Sequence, residues 1–148
     1  GGTPARAAEY LDDALQQGIL PDNPQNLRLL AQAWSAARDR QKALQAWRQV
    51  AERSNAPGDW QRLGELAYGW ADWRVVVDAF GQARGAGGVG PRQWLMEGVA
   101  WLELNDPKAA RRAFEAARQA GSPEAQAWLA TLETSPLDDA GIRGANQG

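Results

Sequence analysis

Three sets of residues in this sequence have types and spacing that could do chemistry. Residues 85–90 read GAGGVG and satisfy G-x-G-x-x-G, the spacing of a dinucleotide phosphate loop. That loop works only between a strand and a helix, where backbone amides can close on a pyrophosphate. The second set is acidic: Asp12-Asp13, Glu103 with Asp106, and Asp138-Asp139 could serve as acid–base pairs or metal ligands. The third is aromatic. Eight tryptophans occur in 148 residues, and 60–73 (WQRLGELAYGWADW) holds three of them with a tyrosine and two glycines. The chain has neither cysteine nor histidine. That removes disulfides, a thiol nucleophile, a Cys/His zinc site and a Ser-His-Asp triad.

The elements that must position these residues are bounded first by composition. Apolar residues make up 44% and charged residues 23%, which suits one globular domain or a stacked array. A net charge of −2 and a pI near 5.2 give no electrostatic case for nucleic acid or an anionic membrane. No apolar run reaches membrane-spanning length. Gly1-Gly2-Thr3 reads as a tag scar ahead of an internal boundary, so the chain is expected to be an excised fragment.

An internal repeat organises the rest. Trp60, Trp94 and Trp128 are spaced by 34, as are Gly64 and Gly98, Phe80 and Phe114, and Ala83 and Ala117. Trp47 precedes Phe80 by 33, and Leu27 precedes Trp60 by 33. Several independent columns with nearly one period mark a stacked-repeat architecture. Within each unit the apolar spacing is helical: Leu27, Leu30, Ala31 and Trp34 share one face, as do Ala43, Ala46, Trp47 and Val50. Thr3-Pro4, Asn23-Pro24, Asp106-Pro107 and Ser122-Pro123 place a capping side chain before a proline suited to the first turn. These signals predict helices over 4–17, 24–37, 40–53, 58–70, 73–85, 91–104, 107–120 and 123–133. Links as short as ARDR and WADW force consecutive helices antiparallel.

On these residues the chain resembles the tetratricopeptide repeat family, whose 34-residue unit is a helical hairpin. The pattern reads Trp60, Leu63-Gly64 and Ala67 in one first helix, then Val76, Phe80 and Ala83 in its second. The next unit reads Trp94, Gly98 and Trp101, then Ala110, Phe114 and Ala117; the earlier one reads Leu27, Leu30-Ala31 and Trp34, then Ala43, Trp47 and Val50. Glu97 departs from it, standing where the family favours leucine; so do Ala67, where it favours an aromatic, and Val76, where it favours alanine. The resemblance implies an all-α superhelical solenoid of about eight helices over 4–133. Three full repeats would be flanked by partial ones, ahead of a disordered tail at 134–148. It implies a concave groove lined by first helices, and no enzyme. The lysine and asparagine set with which some members clamp a chaperone's terminal carboxylate is not seen.

In this frame each chemical motif has a plainer reading. A helix precedes GAGGVG and the repeat register runs through it, so it reads as a linker. The acids read as a solvated face and as helix-start residues favoured by the dipole. No metal, cofactor or catalytic residue is assigned. Trp34, Trp47, Trp60, Trp73, Trp94, Trp101 and Trp128 fall in packing columns. Trp70, in the column Ala37, Trp70, Leu104, stays open between a ring folded over the turn onto Trp73 and an exposed anchor for a partner. Helix geometry aims Gln25, Arg28, Gln32 and Ser35 into the groove. Gln61, Glu65 and Tyr68 follow, then Arg92 and an exposed apolar run of Leu95, Val99 and Leu102.

Stretches such as NLRLLAQAWSAARDRQKAL (26–44) and GGVGPRQWLMEGVAW (87–101) look more narrowly like the C-terminal repeats of periplasmic tetratricopeptide proteins that accompany TonB–ExbB–ExbD systems. The expectation is a non-catalytic scaffold of the bacterial cell envelope that binds a protein or peptide partner and is periplasmic or envelope-associated; a cytoplasmic location stays open. The alternative is structural self-association, or assembly of a polysaccharide-export system.

Overall fold

The computed structural model describes residues 3–134, and among them the chain is all-α. Eight helices follow in order: α1 (Pro4–Gln16), α2 (Pro24–Ala36), α3 (Arg40–Ser54), α4 (Pro57–Gly69), α5 (Trp73–Ala86), α6 (Pro91–Glu103), α7 (Pro107–Gln119) and α8 (Ala125–Thr134). α2 packs on α3, α4 on α5 and α6 on α7 as antiparallel pairs, and each pair stacks on the next. This is an α-solenoid, with α1 against α2 at one end and α8 against α7 at the other. Helix ends lie within two residues of those expected from sequence. The expected tail overlaps α8 by one residue, Thr134; 135–148, with Asp138-Asp139, lie outside the described residues.

The turn inside each hairpin is the same device used three times. Arg38, Ala71 and Asn105 adopt left-handed φ of 58°, 59° and 62°. The amide after each one reaches back to close the preceding helix: Asp39 to Trp34 O, Asp72 to Ala67 O and Asp106 to Trp101 O. The same three aspartates then cap the next helix, accepting from the amides of Lys42, Val75 and Ala109. One residue both ends a helix and begins another, which is why three link residues suffice. Asp39 and Asp72 precede no proline, and the cap-before-proline signal passes over both. Ser122 departs the other way. Its amide closes α7 on Ala117 O, its hydroxyl donates to Glu124, and the helix begins at Ala125 instead of Pro123.

Packing explains the repeated glycines. A Cβ on Gly64 would stand 2.5 Å from Phe80 Cε1, and one on Gly98 would overlap the Phe114 ring in the same way. Each phenyl of a second helix therefore fills the space that a first-helix side chain would have taken. Glycine in a helix interior costs about 1 kcal/mol relative to alanine, and burial of a whole phenyl ring offsets it. Both rings are fully buried. The first hairpin solves the same contact with Ala31 and Trp47, whose indole N–H donates to Ser35 Oγ at 3.1 Å.

The tryptophan columns divide. Trp34, Trp47 and Trp60 are buried, as expected. Trp73, Trp94, Trp101 and Trp128 are half-buried, so for these four the expectation of a core position is corrected. Trp128 of α8 stacks on Phe114 at 5.2 Å and 9°, and Trp73 meets Tyr68 edge-on at 5.4 Å. Trp94 lies under the Arg84 guanidinium at 4.4 Å.

Candidate functional site: the first-helix face and the turn edge

The first helices α2, α4 and α6 are joined side by side by charged side chains from the expected groove set. Arg28 of α2 grips Asp59 of α4 with both arms, Nε to Oδ1 at 3.1 Å and Nη2 to Oδ2 at 2.7 Å. Ser54 Oγ donates to the same carboxylate at 2.6 Å. Asp59 is 12% exposed, and the Arg28 guanidinium holds its carboxyl below the usual range against the upward push of burial. Arg28 is raised in turn, chiefly by that hydrogen bond. One junction later Glu65 of α4 pairs with Arg92 of α6 and accepts from Gln93. Gln61 donates to the Gly88 carbonyl at 2.9 Å.

Residues expected to line one groove thus have different duties. Gln25, Gln32 and Arg92 are exposed, Arg92 by 70% of its side chain. Arg28, Gln61 and Glu65 are half-buried and tied to a neighbouring repeat. Ser35 is engaged on both sides, donating to Ala31 O and accepting from Trp47. Tyr68 is half-buried against Trp73 and the cluster of Val76 and Phe80. Leu95, Val99 and Leu102 are half-buried against the cluster that Phe114 forms with Leu129 and Leu132 of α8. The expectation of an exposed apolar run there is corrected: the three side chains pack against the cluster that α7 and α8 form. Sequence spacing assigns a face correctly but cannot show which neighbour arrives on it.

Glu97, the departure noted in the sequence, is buried, with its side chain 4% exposed. Its two carboxylate oxygens accept from Arg84 of α5 and from the Trp101 indole N–H, the latter at 3.2 Å. The other acids are occupied locally as well. Asp12 and Asp13 accept from Gln16 and Gln17, one turn on. Asp106 is a helix cap, while Glu103 is exposed. Among the described residues no group of three or more carboxylates converges as metal ligands would.

GAGGVG joins α5 to α6, with a helix on each side. Gly88 has φ 131°, at the junction between repeats where Asn55 and Gly121 also turn left-handed. Gly87 lies against Pro57, so that a Cβ would come 3.0 Å from its ring. Gly87 answers to that close contact and Gly88 to its left-handed backbone, so the glycines serve the turn.

Trp70 ends α4 half-buried against the cluster that holds Trp34, Trp47 and Leu63. Its ring also borders a groove along the hairpin turns, with Leu44, Trp73 and Leu104. Trp70 thus fits neither reading left open by the sequence: it is half-buried on that core cluster and also lines an open groove.

No protein-family model matches this sequence, and comparison with curated proteins finds no match. Among the described residues no helix is long and apolar enough to cross a membrane.

Proposed function

We propose that this chain is a non-catalytic binding scaffold of the tetratricopeptide type, holding a protein or peptide partner along the face of α2, α4 and α6. The observation that carries this reading is the pair of ion-pair junctions, Arg28–Asp59 and Glu65–Arg92, which set three first helices in one continuous row. A preorganised surface loses little entropy on binding. Gln25, Gln32 and Arg92 stand exposed along that row and can meet a partner's backbone or carboxylates. Most of the carboxylates described above cap helices, pair with arginines or accept from a glutamine one turn on, which favours scaffold over enzyme. The narrower likeness to the repeats of periplasmic TonB-associated proteins supports an envelope location and a partner within such a system.

A photocrosslinking residue placed at Gln32 or Arg92 tests the reading in cells. A discrete protein adduct is expected at both positions, and none at exposed Gln119 on α7. Adducts at Gln119 alone, or at none of the three, overturn the groove. Adducts to a second copy, with concentration-dependent sedimentation, redirect the reading to self-assembly through the α1–α2 end, where Tyr10, Ile19 and Leu29 stand exposed.

A further inference from the structure

A second surface stands apart from the first-helix row. Along the edge where each hairpin turns, two grooves of about 430 and 440 Å³ share Arg40, Leu44 and Asp72 and form one channel. Its floor is apolar: Leu44, Val75, Trp70, Trp73 and Leu104, all half-buried. Its rim carries exposed Arg40 and Arg74, neither of which has an ion-pair partner among the described residues. Arg48, further along, is paired with Asp78 at 2.8 Å. The carboxylate in the channel, Asp72, is turned to the start of α5, where it accepts the Val75 amide. Six other arginines, Arg28, Arg48, Arg53, Arg84, Arg92 and Arg118, pair with acids. What sets this edge apart is that two guanidinia without an acidic partner border the same groove as Trp70 and Trp73.

We infer that this channel binds a short extended peptide segment carrying one or two large apolar side chains flanked by carboxylates. The apolar side chains enter between Trp70, Trp73 and Leu44, and the flanking acids meet Arg40 and Arg74. Guanidinium–carboxylate pairs set orientation and discriminate against basic partners, while the indoles supply contact area with few side-chain torsions to freeze. A concave channel with an apolar floor suits a peptide better than a flat anionic membrane, and the net charge of −2 opposes membrane attraction. The inference rests on the scaffold reading but uses a different face, so the two fail separately.

The probe is a fluorescein-labelled octapeptide with a central Leu-Phe pair and glutamates on both sides, titrated by fluorescence anisotropy and by the tryptophan indole N–H signals of the labelled protein. Binding to the unmodified protein is expected to move the Trp70 and Trp73 signals and to weaken as salt is raised. Trp70→Ala, and Arg40→Glu with Arg74→Glu, should each weaken it on the order of tenfold or more, the loss of one anchor or charged hydrogen bond. Gln32→Ala with Arg92→Ala should leave it unchanged. Far-UV CD confirms folding, and the exposed Arg40 and Arg74 pair keeps the test valid if Trp70→Ala unfolds. Absence of binding, equal binding of a lysine-flanked octapeptide, or loss only in the Gln32/Arg92 variant overturns the inference. Binding to phosphatidylserine vesicles in place of the peptide overturns it as well.

Discussion

The buried carboxylate at Glu97 gives the most demanding test of the physics. Arg84→Met keeps a long apolar stem over Trp94 but strips Glu97 Oε1 of its donor, leaving only the Trp101 indole on the other oxygen. Breaking a buried pair from one side costs roughly 3–5 kcal/mol, because the orphaned charge stays desolvated. Arg84 is 35% exposed, so water reaches the pair from its side, and the lower end applies: about 3 kcal/mol. That is roughly a hundredfold in the folding equilibrium. The opposite change behaves differently. Glu97→Leu frees an arginine already in contact with water and gives up one indole hydrogen bond worth about 1 kcal/mol. It gains burial of a leucine worth about 1.5–3 kcal/mol, so its net effect runs from near neutral to about 2 kcal/mol stabilising. The double variant should fall near the parent, giving a coupling of about 2–3 kcal/mol. Urea unfolding followed by far-UV CD and by tryptophan fluorescence measures all four proteins, provided the two transitions coincide. If Arg84→Met costs less than about 1 kcal/mol, or Glu97→Leu costs as much as Arg84→Met, the asymmetry argued here is wrong.

Two further outcomes follow from the same structure. Gly64→Ala drives a methyl into the Phe80 ring; overpacking of about 1–3 kcal/mol should outweigh a helix-propensity gain of about 1 kcal/mol, lowering the urea midpoint. Phe80→Leu in the same chain should recover part of that loss, whereas a stable Gly64→Ala single variant would contradict the close-contact reading. Asp59, held below its usual range by Arg28, contributes stability that is present above the ordinary carboxylate range and disappears as pH falls through its lowered value. Asp59→Asn should therefore flatten the acid limb of stability against pH, read by urea titrations at successive pH values; an unchanged limb would assign the acid sensitivity elsewhere.

The fold was largely legible because stacked repeats write the same contact several times. Columns such as Gly64 with Gly98 and Phe80 with Phe114 report one interface twice, and helical spacing tells which face each residue shares. The bland reading of GAGGVG followed from the same register. Side-chain partners were less legible. Spacing placed Arg28 and Glu65 on the first-helix face, yet their acceptor and donor sit 31 and 27 residues away on a neighbouring repeat, where no short-range pattern reaches. Glu97 could be seen as a departure from the repeat, but not as a satisfied buried charge, since Arg84 reaches it from another helix. Leu95, Val99 and Leu102 read as exposed because the sequence places them opposite the packed stripe; packing against the cluster that α7 and α8 form buries part of them.

The period, the columns it repeats and the helix ends to within two residues are local or periodic, and for this protein the sequence alone determines them. Stacking decides what a side chain does once several faces compete for it. Trp70 shows the division most clearly. Its place at the end of α4 follows from the turn that Ala71 and Asp72 build. That it both packs on the core and borders a channel with Leu44 and Leu104 follows only from three successive turns falling along one edge.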